Sequence, residues 1–262
     1  VNRLRAAILR GARATPLPGG AVRGTRPGDG LVFSQLRGYV EGDDPRRIDH
    51  AATARVGALQ TRVYLEETAL LMAAIVDESA SMRVGRARPL ADAADEALQT
   101  WFGALEGADR AARIVDERIV RDRRAAARVR AERPFAFAPA LTLARHALPR
   151  NTALLAIVDG FDLPDDRLLT RAGLHFDATV LLARDPWRDE MPLRGFVHMR
   201  DAESGRVRRV FFGARERAAY VAAAHAREEA LRARFRAAGW RLGTLDERGG
   251  RVSLLHAFGV AA

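Results

Sequence analysis

The stretch "IVDESASM", residues 75 to 82, places one carboxylate and two hydroxyls at alternate positions directly after the apolar run "ALLMAAIV". Serine is scarce, with five in 262 residues, so finding both Ser79 and Ser81 here calls for an explanation. Together with Asp77 they offer oxygen ligands only, which suits a hard cation such as magnesium with retained waters better than zinc. A second apolar run, "TALLAIV", also stops at an aspartate, Asp159. Two such aspartates converge if their strands are first and fourth in a doubly wound sheet of order 3-2-1-4-5, where ligands bind at the strands' carboxyl ends. The expected metal ligands are therefore Asp77, Ser79, Ser81 and Asp159. The plainer alternative is that these groups cap the next helix and bond loop amides.

The elements around these residues point the same way. Continuous apolar runs at 69–76, 152–158 and "DATVLLA" are expected for strands buried on both faces of a parallel sheet. Between them, "PLADAADEALQTWFGALE", "APALTLARHAL" and "LLTRAGL" carry apolar residues at helical spacing. "AARIV" suits a short strand, "ERAAYVAAAHAREEALRARFRAAG" a long helix, and "WRLGTL" a last strand. Strands alternating with helices predict an α/β domain: an open, mostly parallel sheet with helices on both faces, spanning residues 66–262.

Residues 1–65 are expected to form a small β-rich appendage packed on that domain, too poor in apolar surface to fold alone. Its first 30 residues read as an irregular or partly helical lead-in, with no signal peptide pattern. "LVFSQLRGYV" is extended. In "GDDPRRIDHAATAR", Asp44 is placed to cap a helix with Pro45 at its first position. Leu59, Thr61, Val63 and Leu65 alternate as one buried face of a strand.

Composition narrows the function. The formal net charge is +10, all of the positive charge is arginine, and no cysteine is present. Disulfides and thiolate metal sites are excluded. A basic chain raises nucleic-acid binding, but the arginines are dispersed among acids and only 6% of residues are aromatic, which leaves little for base stacking. Arginine in place of lysine is also what a GC-rich genome produces. No run approaches the roughly 18 apolar residues of a membrane span. There is no Gly-x-Ser-x-Gly elbow around Ser79 and no His-Glu-x-x-His, so no catalytic set is assigned.

"DESASM" resembles the Asp-x-Ser-x-Ser motif of von Willebrand factor A domains, whose metal-ion-dependent adhesion site occupies the same crevice. More specifically, the chain resembles the bacterial family known as domain of unknown function fifty-eight. The match is carried by Gly30, Phe33, Arg37, Tyr39, Gly42, Asp43, Asp44, Arg47, Ile48 and Asp49, and by the tail "LLARDPWRDEMPLRGFVHMRDAESGRV" with its Asp-Pro and Gly-x-Val-x-x-x-Asp features. His50 stands where that family has tryptophan, and reads as a packed substitute. Adhesion sites of this type also take a threonine from the loop before "APALTLARHAL". Here that loop, "ERPFAFAPA", has no hydroxyl, and Thr142 lies about a turn into the helix.

The resemblance implies a cytoplasmic, protein-binding adaptor rather than an enzyme. Its partners would be a MoxR-type AAA+ ATPase or another von Willebrand A protein, in a chaperone-like or complex-maturation system. A magnesium ion would bind weakly or not at all in the free protein. Asp43, Asp44, Arg46, Arg47 and Asp49 are candidates for a partner-binding surface, or else a capped helix with local ion pairs. The competing expectation is a metal-dependent domain that binds nucleic acid or hydrolyses phosphoesters.

Overall fold

The computed structural model describes residues 3–11, 23–28, 32–67, 69–202 and 204–261. Residues 12–22 of the expected lead-in, and Gly30, lie outside the described residues. In chain order the elements are α1 (Arg3–Gly11), β1 (Arg23–Gly28), β2 (Val32–Gly38), α2 (His50–Val56), β3 (Gln60–Glu67), β4 (Leu71–Val76), α3 (Leu90–Gly103), β5 (Arg110–Val115) and β6 (Arg118–Val120). They continue with α4 (Arg123–Arg128), α5 (Phe137–Ala147), β7 (Ala153–Val158), α6 (Asp166–His175), β8 (Asp177–Ala183), β9 (Gly195–Arg200), β10 (Val207–Phe212), α7 (Ala214–Ala237), β11 (Arg241–Leu245) and α8 (Gly250–Ala257). Among the described residues, no helix is long and apolar enough to cross a membrane.

The chain divides into two compact units, one formed by residues 15–70 with 106–109 and the other by the rest. In the smaller unit, β3 is the middle strand of an antiparallel sheet of order β1-β3-β2. Thr61 and Val63 are buried as alternation predicts, whereas Leu59 precedes the strand and is exposed. The expected single helix from Asp44 is two elements. Asp44 accepts from the Arg46 amide and caps a 3-10 turn, Pro45–Arg47. Ile48 is then extended and bridges Thr61, so α2 restarts under its own cap, Asp49, which accepts from Ala52 at 2.9 Å. His50, the first residue of α2, is exposed rather than packed.

The larger unit is α/β. Its six-stranded sheet has the order β11-β8-β7-β4-β5-β6, parallel throughout except for β6. Counted from β4, this is 3-2-1-4-5-6 read from the β6 edge, so strand order reverses between β4 and β7. Both are buried on both faces, which is why they read as unbroken apolar runs. Ala73, Ile75, Leu154, Ala156 and Val180 face Phe137, Leu141, Leu169 and Phe235, from α5, α6 and α7. The alternate residues Met72, Ala74, Leu155 and Leu181 face the opposite side, where α3 and α8 pack on each other.

That second layer depends on a close helix approach. A Cβ on Gly250 would lie 1.6 Å from the Ala93 carbonyl oxygen and 2.6 Å from the Ala97 nitrogen. Gly250→Ala must therefore push α8 off α3. It is expected to lower unfolding stability by about 1–3 kcal/mol, the usual cost of overpacking, measured by urea denaturation.

Candidate functional site

Asp77 follows the last residue of β4, and its amide closes the ladder to β7 by donating to the Ile157 carbonyl at 2.8 Å. Asp159 follows the last residue of β7. The two aspartates thus stand at adjacent carboxyl ends, where strand order reverses, and the Asp159 amide points at Asp77 Oδ2, 3.5 Å away. Beyond Asp77 the chain enters a 3-10 turn, Ala80–Arg83, pinned by the fully buried Met82.

Ser79 occupies the cap position of that turn but makes no side-chain cap bond. Its hydroxyl instead donates to Asp77 Oδ1 at 2.5 Å and lies 2.9 Å from Ser81 Oγ. Ser81 Oγ in turn donates to Asp159 Oδ2 at 2.6 Å. Four side-chain oxygens therefore run in a continuous chain from β4 to β7. The Ser79 amide also donates to Asp77 Oδ1 at 2.9 Å, and the Phe161 amide to Asp159 Oδ1 at 2.8 Å, which orients both carboxylates.

A magnesium ion can be tested against this set. Adjacent oxygens around an octahedral ion with bonds of about 2.1 Å lie about 3.0 Å apart. The observed spacings of 2.5, 2.9 and 2.6 Å are hydrogen-bond lengths, a few tenths of an ångström short of such edges. The residues fit in type. They supply little charge, however: among the described residues no three His, Asp or Glu side chains gather as a metal-holding group.

Asp77 is held under electrostatic load. Asp77 is 3% exposed, and burial, with Asp159 alongside, pushes its acid up to about 6. Glu78, between the two motif oxygens, points elsewhere. It pairs with Arg113 of β5 at 2.8 Å and accepts from the Ala131 amide at 2.8 Å, so it ties the Asp77 turn to the loop after α4. Arg113 is 1% exposed, with no hydrogen-bond partner at Nε or Nη1. Its burial lowers its affinity for a proton, to about 10.

The oxygens form one corner of a cavity of about 730 Å³, a volume typical of ligand sites. Its other walls include residues that sequence reasoning did not single out. Arg83 and Phe161 come from the two motif loops, Asp162 follows, and Arg133 and Phe135 come from the loop before α5. Asp201, at the turn between β9 and β10, also lines it. Asp201 is the final residue of the Gly-x-Val-x-x-x-Asp feature, a signal that was present in the sequence. The loop before α5 brings no hydroxyl, and Thr142 does not line the cavity. Phe161 is 73% exposed, yet the Arg227 guanidinium lies 3.3 Å from its ring centroid while donating to the Asp159 carbonyl at 3.2 Å.

The upstream candidates belong to the smaller unit. Asp43 forms a two-pronged pair with Arg37, at 2.7 and 2.6 Å, which holds its acid below the usual carboxylate range. Asp49 joins its capping bond to an ion pair with Arg62 at 2.9 Å. The acids of this block are thus engaged in caps and local ion pairs, and Arg46 is exposed.

Asp77 keeps its proton to about pH 6 when folded and loses it near pH 4 when unfolded. Between these values the folded state binds more protons, so this group's stabilising contribution is full below pH 4 and is lost as pH rises to 6. Without divalent cations, the stability difference between wild type and Asp77→Asn should shift by on the order of 3 kcal/mol across that window, read by urea denaturation. Glu78→Ala should cost about 3–5 kcal/mol, because it leaves the buried Arg113 uncompensated. The double variant Glu78→Met/Arg113→Met should recover part of that loss by the same measurement.

The family described as protein of unknown function DUF58 matches residues 35–230, which include the Asp43–Asp49 block, Asp77, Asp159 and Asp201. A solved structure, that of the conserved hypothetical protein BatB from Bacteroides thetaiotaomicron, is similar at 15% identity and a TM-score of 0.37, covering 64% of this chain and 98% of that one. No curated protein matches. With three quarters of its length matched, the chain belongs to the DUF58 family.

Proposed function

We propose that the chain is a protein-binding adaptor with a von Willebrand A-like domain, which captures a partner carboxylate through magnesium held by Asp77, Ser79, Ser81 and Asp159. The observation that carries this reading is the continuous chain of four oxygens across the β4–β7 reversal, opening into the cavity. The partner implied by the family resemblance is a MoxR-type AAA+ ATPase or another von Willebrand A protein, in a chaperone-like or complex-maturation system. The Asp43–Asp49 block is a second candidate contact, through Arg46 and Arg47.

Electrostatics supports a cation as the bridge. In a chain of formal charge +10, the cavity lining sets Asp77, Glu78, Glu132, Asp159, Asp162 and Asp201 against Arg83 and Arg133. An acidic partner entering alone meets like charge. A divalent ion neutralises the corner and leaves a position for the partner's oxygen. Metal and partner therefore strengthen each other, by linkage. The competing reading is phosphoester hydrolysis at the same metal, for which the cavity lining offers carboxylates but no histidine or lysine as candidate base or acid.

The test is calorimetry with magnesium alone, then with the purified ATPase from the same organism. Magnesium alone should bind on the order of millimolar, because the missing threonine leaves few protein ligands to replace water. The ATPase should bind more tightly with magnesium than with EDTA, and Asp77→Ala should abolish the difference without unfolding the protein. Equal partner affinity in EDTA would remove the metal bridge from the reading.

A further inference from the structure

The strands β9 and β10 pair as an antiparallel ribbon that no other strand extends among the described residues. Side chains alternate between its two faces. One face carries Val197, Met199, Val210 and the buried Phe212, which are turned inward, together with the exposed Arg208 at its end. The other carries Phe196, His198 and Arg200 from β9, and Val207, Arg209 and Phe211 from β10, all of them exposed. The solvent face of a two-stranded ribbon is normally polar. Here three of its six residues are large and apolar, with Phe196 66%, Val207 54% and Phe211 50% exposed. No acid lies among the six. An exposed apolar patch edged by charge marks an interaction site.

We propose that this face is a docking surface for an extended, acidic segment of a protein partner, which adds to the ribbon as a third strand. The chemistry is fixed by the order of side chains along β10. Val207, Arg209 and Phe211 read apolar, basic, aromatic at every second position. A strand laid beside them, with its own side chains alternating, complements them with apolar, acidic, apolar at every second position. Unpaired strand edges supply the backbone hydrogen bonds.

The ring geometry selects this occupant over two others that a basic, aromatic face could take. Phe196 and Phe211 are cross-strand partners whose centroids lie 5.0 Å apart, tilted by 56°. The Arg209 guanidinium sits 4.3 Å from the Phe196 centroid. The Phe196 ring is thus engaged both by a cation and by a second ring. Bases need open ring faces to stack on, and insertion into a lipid layer would carry Arg209 inward with the ring. Apolar side chains need only ring edges, and carboxylates gain from the exposed guanidinium groups.

The ribbon's turn contributes Asp201 and Ala202 to the cavity that holds Asp77 and Asp159. The docking face and the cavity thus share the ribbon's turn. The docking itself needs no metal, and it stands or falls separately from the magnesium bridge.

The probe is a fluorescently labelled peptide with leucine and glutamate alternating at every second position and threonine between them, titrated with the full chain. Saturable binding is expected, unchanged by EDTA or by Asp77→Ala, and weakened at least about tenfold by Arg209→Glu and by Phe211→Ser. A lysine-for-glutamate peptide should bind at least about tenfold more weakly. Because a variant could be misfolded, hydrogen exchange of the wild type provides a second readout. Amides of β10 should gain protection when the glutamate peptide is added. No saturable binding up to about a millimolar, equal binding of the lysine peptide, or unchanged β10 exchange would each overturn the proposal. So would preferential binding of oligothymidylate or of phosphatidylserine vesicles.

Discussion

The hydrogen bond from the Asp77 amide to the Ile157 carbonyl is the contact on which the site depends. It is the last rung between β4 and β7, and it fixes how far each strand runs before its aspartate leaves the sheet. Register in a parallel pair is set by burial of both faces, so a slip by one residue would turn Ile75 and Leu154 away from the layer of Phe137 and Leu141. The core thereby enforces the convergence of Asp77 and Asp159. Met82 repeats the device one turn later, since its burial holds the 3-10 segment and aims the Ser79 and Ser81 hydroxyls back at the carboxylates.

The same arrangement carries a cost that a structural turn would not need. A buried carboxylate whose acid sits near 6 is destabilising at neutral pH, and its neighbours moderate this without removing it. Ser79 and its amide stabilise the ionised form, while burial and Asp159 oppose it. Strain of this kind persists where the surrounding structure overdetermines the geometry, and it concentrates at functional sites. Two polar bonds from the Glu78 side chain, to Arg113 and to the Ala131 amide, do the overdetermining here.

Legibility from sequence followed burial. The β4, β7 and β8 strands are buried on both faces, so their unbroken apolar runs and terminal aspartates gave away both strand and site. β5 was harder, because the strand "RAARIV" contains Arg113, a charge that is buried only because Glu78 meets it from another loop. The β9–β10 ribbon left no pattern that reads as strand. Apolar residues lie on both of its faces and arginines interrupt them, which flattens the alternation that marks a half-buried strand. The α8 helix begins with glycine and is short, and its identity comes from packing on α3 rather than from its own periodicity. The split of the helix after Asp44 depended on Ile48 bridging Thr61, a contact between residues 13 apart that local capping signals do not register.

The absence of lysine also bears on how the site is built. Three arginines work beside it in ways an ammonium could not reproduce. Arg113 stays charged while nearly fully buried, because even its lowered proton affinity leaves it protonated at neutral pH; a lysine there would start lower and could lose its charge. Arg130 engages both oxygens of Asp95, Nη1 donating to Oδ1 at 2.6 Å and Nη2 to Oδ2, and approaches Glu78 at 3.8 Å, using a planar fork that lysine lacks. Arg227 lies over Phe161 and still donates to the Asp159 carbonyl, so a single side chain holds the aromatic rim and the motif loop in one geometry. Arginine usage that composition alone explains by codon bias thus acquires a structural role where guanidinium groups brace the carboxylate loops from behind, leaving the oxygens of Asp77 and Asp159 to face the cavity.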